Sequence, residues 1–214
     1  MNKQDKLQLL KDSGAVAVVR RPPYDQAVRI ADALVTGGVK ALEITADTEK
    51  VFDLIASLKG RYGDKVLVGA GTVLDAETAE KAIAAGADFI FSPILDEETI
   101  KVTIRHDRIS IPGVMTPTEI VQGYKYGADL LKIFPGSSLG VHYIKELSAP
   151  LGHIPVMPTG GVTLENVAQF IQAGAVAVGL GSSLLDKKAI EEQRYDEIAK
   201  RAEQFIEAIH QARE

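Results

Sequence analysis

Cysteine and tryptophan are absent from this 214-residue chain, histidine occurs four times, and only 6% of the residues are aromatic. Without cysteine there can be no disulfide, no thiolate nucleophile and no thiolate-bound zinc. His106, His142, His153 and His210 are scattered outside the β-rich runs described below, so no metal site is expected from them. Positive charge is in deficit: 24 Lys and Arg stand against 29 Asp and Glu, a formal net charge of −5. Such a field repels nucleic acid and anionic membranes, and neither is an expected partner; an anionic substrate would need a local reversal of charge. In Met1–Gly14 charges alternate with leucines and no uninterrupted apolar stretch occurs. No secretory signal is expected there, and the cytoplasm is the expected location.

What is present has a globular balance, 46% hydrophobic and 25% charged, unlike a disordered, collagen-like or membrane-spanning chain. The length suits one domain, residues 1–214, and is tight for two. Short β-rich runs recur throughout: Ala15–Arg20, Ala41–Thr45, Val66–Thr72, Phe89–Pro93, Ile109–Val114, Leu130–Pro135, Val156–Thr159 and Val176–Gly181. Amphipathic stretches separate them, the rhythm of repeated βα units with parallel strands. Glycines at 37–38, 86, 127 and 174 stop the helices just before the next strand. Thr116-Pro117-Thr118-Glu119 has the pattern of a capped helix start, and Asp75, Asp96 and Thr163 are candidate caps for three more. Eight units point to a compact (β/α)8 barrel, with Lys3–Lys11 as a short extra N-terminal helix whose Leu7, Leu9 and Leu10 cover one end. Asp196–Ala212 reads as the last helix, with a stripe of Ile198, Ala202, Phe205, Ile206 and Ile209. An open doubly wound sheet is also compatible with periodicity alone, but the strand count favours the barrel.

In parallel barrels chemistry gathers at the C-terminal ends of strands. Two charges interrupt apolar runs there: Lys132 in Leu130-Leu131-Lys132-Ile133-Phe134-Pro135, and Glu43 in Ala41-Leu42-Glu43-Ile44-Thr45. Burial disfavours an ammonium and leaves a nucleophilic amine near neutral pH, which is how a Schiff-base lysine arises. A buried carboxylate on another strand could shuttle its protons. The alternatives are a lysine whose stem lies along the wall with its head in water, and a structural ion pair of Glu43 with Lys132 or Arg20. Pro158-Thr159-Gly160-Gly161 and Gly179-Leu180-Gly181-Ser182 close the last two units, where backbone amides commonly hold phosphate in such folds. Arg20 adds a cation to the same rim or is simply solvated. Thr72 either holds a carboxylate or caps a tight turn, Pro93 shapes the rim, and Phe134 covers a small substrate or joins the core.

Leu42-Glu43-Ile44-Thr45, Gly69-Ala70-Gly71-Thr72-Val73, Ser92-Pro93, Ile111-Pro112-Gly113-Val114, Leu131-Lys132-Ile133-Phe134-Pro135, Pro158-Thr159-Gly160-Gly161-Val162 and Gly179-Leu180-Gly181-Ser182, taken in order, resemble the 2-keto-3-deoxy-6-phosphogluconate and 4-hydroxy-2-oxoglutarate aldolases. The resemblance spans about Ala15 to Ser183. It implies a class I aldolase in a (β/α)8 barrel, usually a homotrimer, acting on 2-keto acids and aldehydes with no metal or other cofactor. By position it makes Lys132 the Schiff-base lysine, Glu43 the general acid/base and Thr72 a ligand of the pyruvoyl carboxylate. Phe134 and Pro93 match the pocket lining, Thr159 a position that influences substrate choice, and Gly160, Gly161, Gly181 and Ser182 the phosphate region. Asp47 departs from the pattern, because some members carry an arginine there to grip the carboxylate; Arg20 is the expected substitute. Two other readings stay open on the residues alone: a metal-independent phosphosugar isomerase or epimerase using Glu43 as base, and a non-catalytic sugar-phosphate-binding barrel.

Overall fold

The computed structural model describes all 214 residues and is built of parallel strands alternating with helices. After helix α1 (Lys3–Ser13) come β1 (Ala15–Val19), α2 (Ala27–Thr36), β2 (Ala41–Thr45), α3 (Val51–Tyr62), β3 (Leu67–Gly71), α4 (Ala76–Ala84), β4 (Phe89–Phe91), α5 (Glu97–Arg105) and β5 (Ile109–Ile111). The second half runs β6 (Gly113–Val114), α6 (Pro117–Lys125), β7 (Leu131–Ile133), α7 (Gly136–Leu151), β8 (Val156–Pro158), α8 (Val167–Gln172), β9 (Val178–Leu180), α9 (Lys187–Glu191) and α10 (Tyr195–Gln211). One six-stranded parallel sheet has the order β5-β4-β3-β2-β1-β9, and a second has β6-β7-β8. A parallel bridge between Thr159 and Gly179 joins the end of β8 to β9.

Ladders are shorter than the β-rich runs because proline has no N–H to donate. Pro112 divides Ile109–Val114 into β5 and β6, while Phe89–Pro93 and Leu130–Pro135 each pair over only three residues. Helix starts follow local chemistry. Asp75 accepts from the Thr78 amide (2.7 Å), Asp96 from Thr99 (2.8 Å), and Thr116 and Glu119 form a reciprocal capping box. Thr163 differs from expectation: it caps nothing, and its own amide donates to Asn166 Oδ1 (2.8 Å), so α8 begins only at Val167.

Side chains along each strand alternate between two apolar clusters. The larger lies between strands and helices and includes Ala17, Leu42, Val68, Ile90, Leu131 and Val178. The smaller draws Val16, Ala41, Leu67, Phe89, Ile109 and Met157 from β1–β5 and β8 and Leu130 and Ala177 from the entries to β7 and β9, and Leu7 and Leu10 of α1 pack into it. Charge fixes α1 in that place. Asp88, 2% exposed, accepts from Lys6 and Lys59 (2.7 Å each) and from the Val68 amide (3.0 Å). Asp129, at the matching point of a later unit, accepts from Lys3 (2.9 Å) and the Ser110 amide (2.8 Å).

Removing the Asp88 carboxylate takes the 2.7 Å acceptor from two half-buried ammonium groups, leaving them Asp64 at 3.9 Å and, for Lys59, the Gly63 carbonyl, and it strands the Val68 amide. Asp88→Ala should therefore lower unfolding free energy by about 3 kcal/mol, measured by urea denaturation, whereas a loss within error would make the α1 anchor incidental.

Candidate active site

The same alternation decides which polar residues converge. On β2, Leu42 and Ile44 enter the outer cluster, so Glu43 and Thr45 share the inner face with Ala41. Arg20 likewise follows Val16 and Val18, Gly69 and Gly71 follow Leu67, Lys132 and Phe134 follow Leu130, and Thr159 follows Met157. All lie toward the C-terminal ends of their strands, opposite α1.

Glu43 is 1% exposed and Lys132 5%. Space for the carboxylate is made by a missing side chain: a Cβ on Gly71 would stand 1.6 Å from Glu43 Oε1. Glycines 69 and 179 do the same for the Phe89 ring and the Thr159 side chain. The other carboxylate oxygen, Glu43 Oε2, is buried with no hydrogen-bond partner. Lys132 Nζ lies 4.1 Å from the centroid of Phe91 and 4.6 Å from that of Phe134. Phe91 occupies the inner face of β4 beside Gly71, with which it pairs in register. Burial pushes the Glu43 carboxyl up to about 7, against the opposing pull of Lys132 and Arg20. Burial also pushes Lys132 down to about 8; Glu43 resists this and Arg20 adds to it. An amine and a carboxylate so tuned both exchange protons near neutrality.

Arg20 reaches over the mouth, donating to Thr72 Oγ1 (3.3 Å) and lying 3.6 Å from Asp47 Oδ2. Asp47 is committed to Arg21, whose Nε and Nη2 approach the same oxygen at 2.7 and 2.6 Å. Burial raises the Asp47 carboxyl, but hydrogen bonds with Thr45 and Arg21 and the two arginine charges outweigh it and hold the group low. Thr72 is not a helix cap, since Asp75 fills that role; its φ of 55° turns the chain sharply at the rim. Phe134 is 36% exposed and belongs to the mouth, not the core, and Pro93 is half-buried with its carbonyl against Gly113. Thr159 Oγ1 is buried without a partner. Gly160 and Gly161 have φ of 90° and 73°, which only glycine adopts readily, and Gly181 borders open space beside the exposed Ser182. Thus Lys132, Glu43, Arg20, Thr72, Phe134 and Thr159 meet at one end of the strands, with the glycine turns on its border. All four histidines are exposed, and no three His, Asp or Glu side chains gather as a metal cluster. Phe91 and the Arg21–Asp47 pair belong to this site although neither was singled out as a site feature in the sequence. The only signal for Phe91 was its alternation with Phe89.

Comparison with known proteins agrees with this geometry. The aldolase family described as KDPG and KHG aldolase matches residues 7–201. The 2-dehydro-3-deoxy-6-phosphogalactonate aldolase of Escherichia coli (strain K12) is 36% identical over 198 residues, 92% of this chain and 95% of that one. A KDPG aldolase from Legionella pneumophila, with pyruvate captured as a covalent carbinolamine intermediate, superposes with a TM-score of 0.85 at 26% identity, covering 92% and 96% of the two chains. A cube-shaped cage designed by fusing symmetric oligomeric domains contains a match of 35% identity and TM-score 0.86, covering 94% of this chain and 73% of that one.

The buried charges set a stability window. The folded state protonates Glu43 more readily than the unfolded chain, so this group's contribution falls as pH rises from 4.5 to about 7. Lys132 releases its proton more readily when folded, so its penalty is full below about 8 and fades toward 10.5. Both penalties coincide between pH 7 and 8. A Glu43→Gln, Lys132→Met double variant should be more stable by about 1–4 kcal/mol, with the gain largest near pH 7.5 and smaller on either side in urea titrations; a pH-independent difference would contradict the buried-charge account.

Proposed function

The chain belongs to the KDPG and KHG aldolase family, and from that premise we propose that Lys132 forms the Schiff base, with Glu43 moving the protons. The activity itself is that of a class I aldolase, a carbon–carbon lyase. This removes the isomerase and binding-only readings. One observation carries the assignment of residues: the buried Lys132 amine, held between two aromatic rings, shares its chamber with a buried carboxylate oxygen that no protein group satisfies.

In the cleavage direction the Lys132 amine adds to the C2 ketone of a 2-keto acid. Loss of water from the carbinolamine leaves a protonated imine, an electron sink. Glu43, as carboxylate, takes the C4 hydroxyl proton while the C3–C4 bond breaks; an aldehyde departs and the electron pair enters the enamine. Glu43 returns a proton to C3, and water releases pyruvate and the free amine. Arg20 and Thr72 hold the C1 carboxylate, Phe134 and Pro93 line the pocket, and Thr159 touches the substrate near its reacting carbons. Gly160, Gly161, Gly181 and Ser182 receive a phosphate. The substrate is 2-keto-3-deoxy-6-phosphogluconate, cleaved to pyruvate and glyceraldehyde 3-phosphate, and/or 4-hydroxy-2-oxoglutarate, cleaved to pyruvate and glyoxylate. No cofactor enters this sequence.

Residues 1–214 form one (β/α)8 barrel with α1 as its extra helix. The Thr159–Gly179 bridge, the continuity of β5 and β6 through Pro112, and an inner cluster fed by both sheets support this closure. Homotrimeric assembly is supported by the family resemblance and by a 35% identical domain within the oligomer-based cage. No helix is long and apolar enough to cross a membrane, consistent with the proposed cytoplasmic location.

Borohydride with pyruvate should inactivate the enzyme and leave one reduced adduct on Lys132 by peptide mass analysis. Adduct on another lysine, or inactivation that persists in Lys132→Ala, would reassign the nucleophile. Glu43→Gln should still trap pyruvate but exchange the pyruvate methyl protons with deuterated water about 10² to 10⁴ times more slowly; exchange at the wild-type rate would make Glu43 only a structural partner of Lys132.

A further inference from the structure

Lys132 and Glu43 reach the chamber from different strands, yet the two charges do not meet. They form no ion pair within 4.0 Å, and Glu43 Oε2 is buried without any partner. Elementary electrostatics favours the opposite outcome. A buried carboxylate and a buried ammonium on a flexible four-carbon stem attract strongly and close on each other when nothing stands between them.

Strand register identifies what stands there. The Glu43 carboxylate leans over β3, into the space that a Cβ on Gly71 would take. Gly71 pairs with Phe91 on β4, and Phe91 pairs with Ile111 on β5, whose run continues through Pro112 into β6 and its partner β7, the strand of Lys132. Phe91 therefore lies midway along the wall that leads from one charge to the other. It is fully buried, and the Lys132 amine rests 4.1 Å from its ring centroid. Phe134, the second ring, follows Lys132 on the same segment and opens to the mouth, so it does not lie along that wall. The proton affinities agree with a pair held apart. Direct pairing favours both charged forms, lowering the carboxyl and raising the amine. Here burial prevails in the other direction, with Glu43 at about 7 and Lys132 at about 8; the other charges acting on the pair are Arg20, on both groups, and Asp47, on Glu43.

Resting on the aldolase reading above, we propose that Phe91 is a positioning residue for this reaction: its ring is the spacer that keeps the Lys132 amine and the Glu43 carboxylate from closing into a direct ion pair. An aromatic face can hold an ammonium without consuming a carboxylate. The amine thus stays available to a ketone, and a Glu43 oxygen stays available to a substrate proton. Phe91 acts through these two groups and takes no proton or bond itself.

The test follows reductive trapping of pyruvate on Lys132 of the full-length enzyme with cyanoborohydride, its rate measured against pH by peptide mass analysis. In the wild type the rate should rise with a midpoint near the Lys132 value of about 8. Phe91→Ala lets the lysine reach Glu43 and should move that midpoint up by about one pH unit or more, slowing trapping at pH 7 about tenfold. Phe91→Leu, which keeps more of the buried volume and guards against a failure to fold, should move it the same way but less. In a Glu43→Gln background no carboxylate remains to be reached, and both substitutions should leave the midpoint nearly in place. An unmoved midpoint in the single variants overturns the assignment. So does a rise of equal size in the Glu43→Gln background, which would make the ring a barrier to water and not a spacer. Failure of the wild type to form a pyruvate adduct at Lys132 would instead strike the aldolase reading, whatever Phe91 does.

Discussion

Everything at the reactive end depends on keeping two opposite charges out of water at the ends of parallel strands. An ionised carboxylate and an ammonium each lose several kcal/mol of hydration on such burial, and their mutual attraction only partly offsets it. The chain supports that arrangement elsewhere. Its two apolar clusters hold the strands in register, and the Asp88 network, in which each ammonium finds its carboxylate oxygen at 2.7 Å, anchors the opposite end. Charges there are satisfied by protein partners. At the reactive end an oxygen of Glu43 is left for substrate or solvent to satisfy.

The aromatic rings beside Lys132 connect packing to reactivity. Phe91 and Phe134 flank the amine, whose burial favours its neutral form, and their faces would also tolerate the cationic imine of the proposed mechanism. Arg20 contributes in the same direction, since its charge favours the neutral amine and the ionised carboxylate together. Asp47 restrains the two arginines, so the positive field at the mouth is fixed in place before any substrate enters.

Much of this was legible in the sequence because it is locally encoded. Lys132 and Glu43 betray themselves by interrupting Leu-x-Ile triplets, and the glycine stops before β4 and β7 mark the βα rhythm without reference to anything distant. Strand limits were less legible, since Pro112 breaks one β-rich run in two and the ladders of β4 and β7 stop two residues short of Pro93 and Pro135. Thr163 misled because a threonine at a plausible cap position competes with Asn166 three residues on. Phe91 and the Arg21–Asp47 pair were hidden for a different reason. Their roles depend on which strand stands across the chamber, a relation that exists only once β4 and β7, or β1 and β2, have been brought together.

The glycines on the inner face give the chamber an inverted code. Positions 69, 71 and 179 each lend their volume to a neighbour's ring, carboxylate or hydroxyl. Truncation, the usual way of asking what a residue does, has nothing to remove at such places, so a scan to alanine there becomes a scan by addition. The shape of the chamber is therefore set by what these positions omit, and a side chain gained at any of them would displace a ring, carboxylate or hydroxyl already in place.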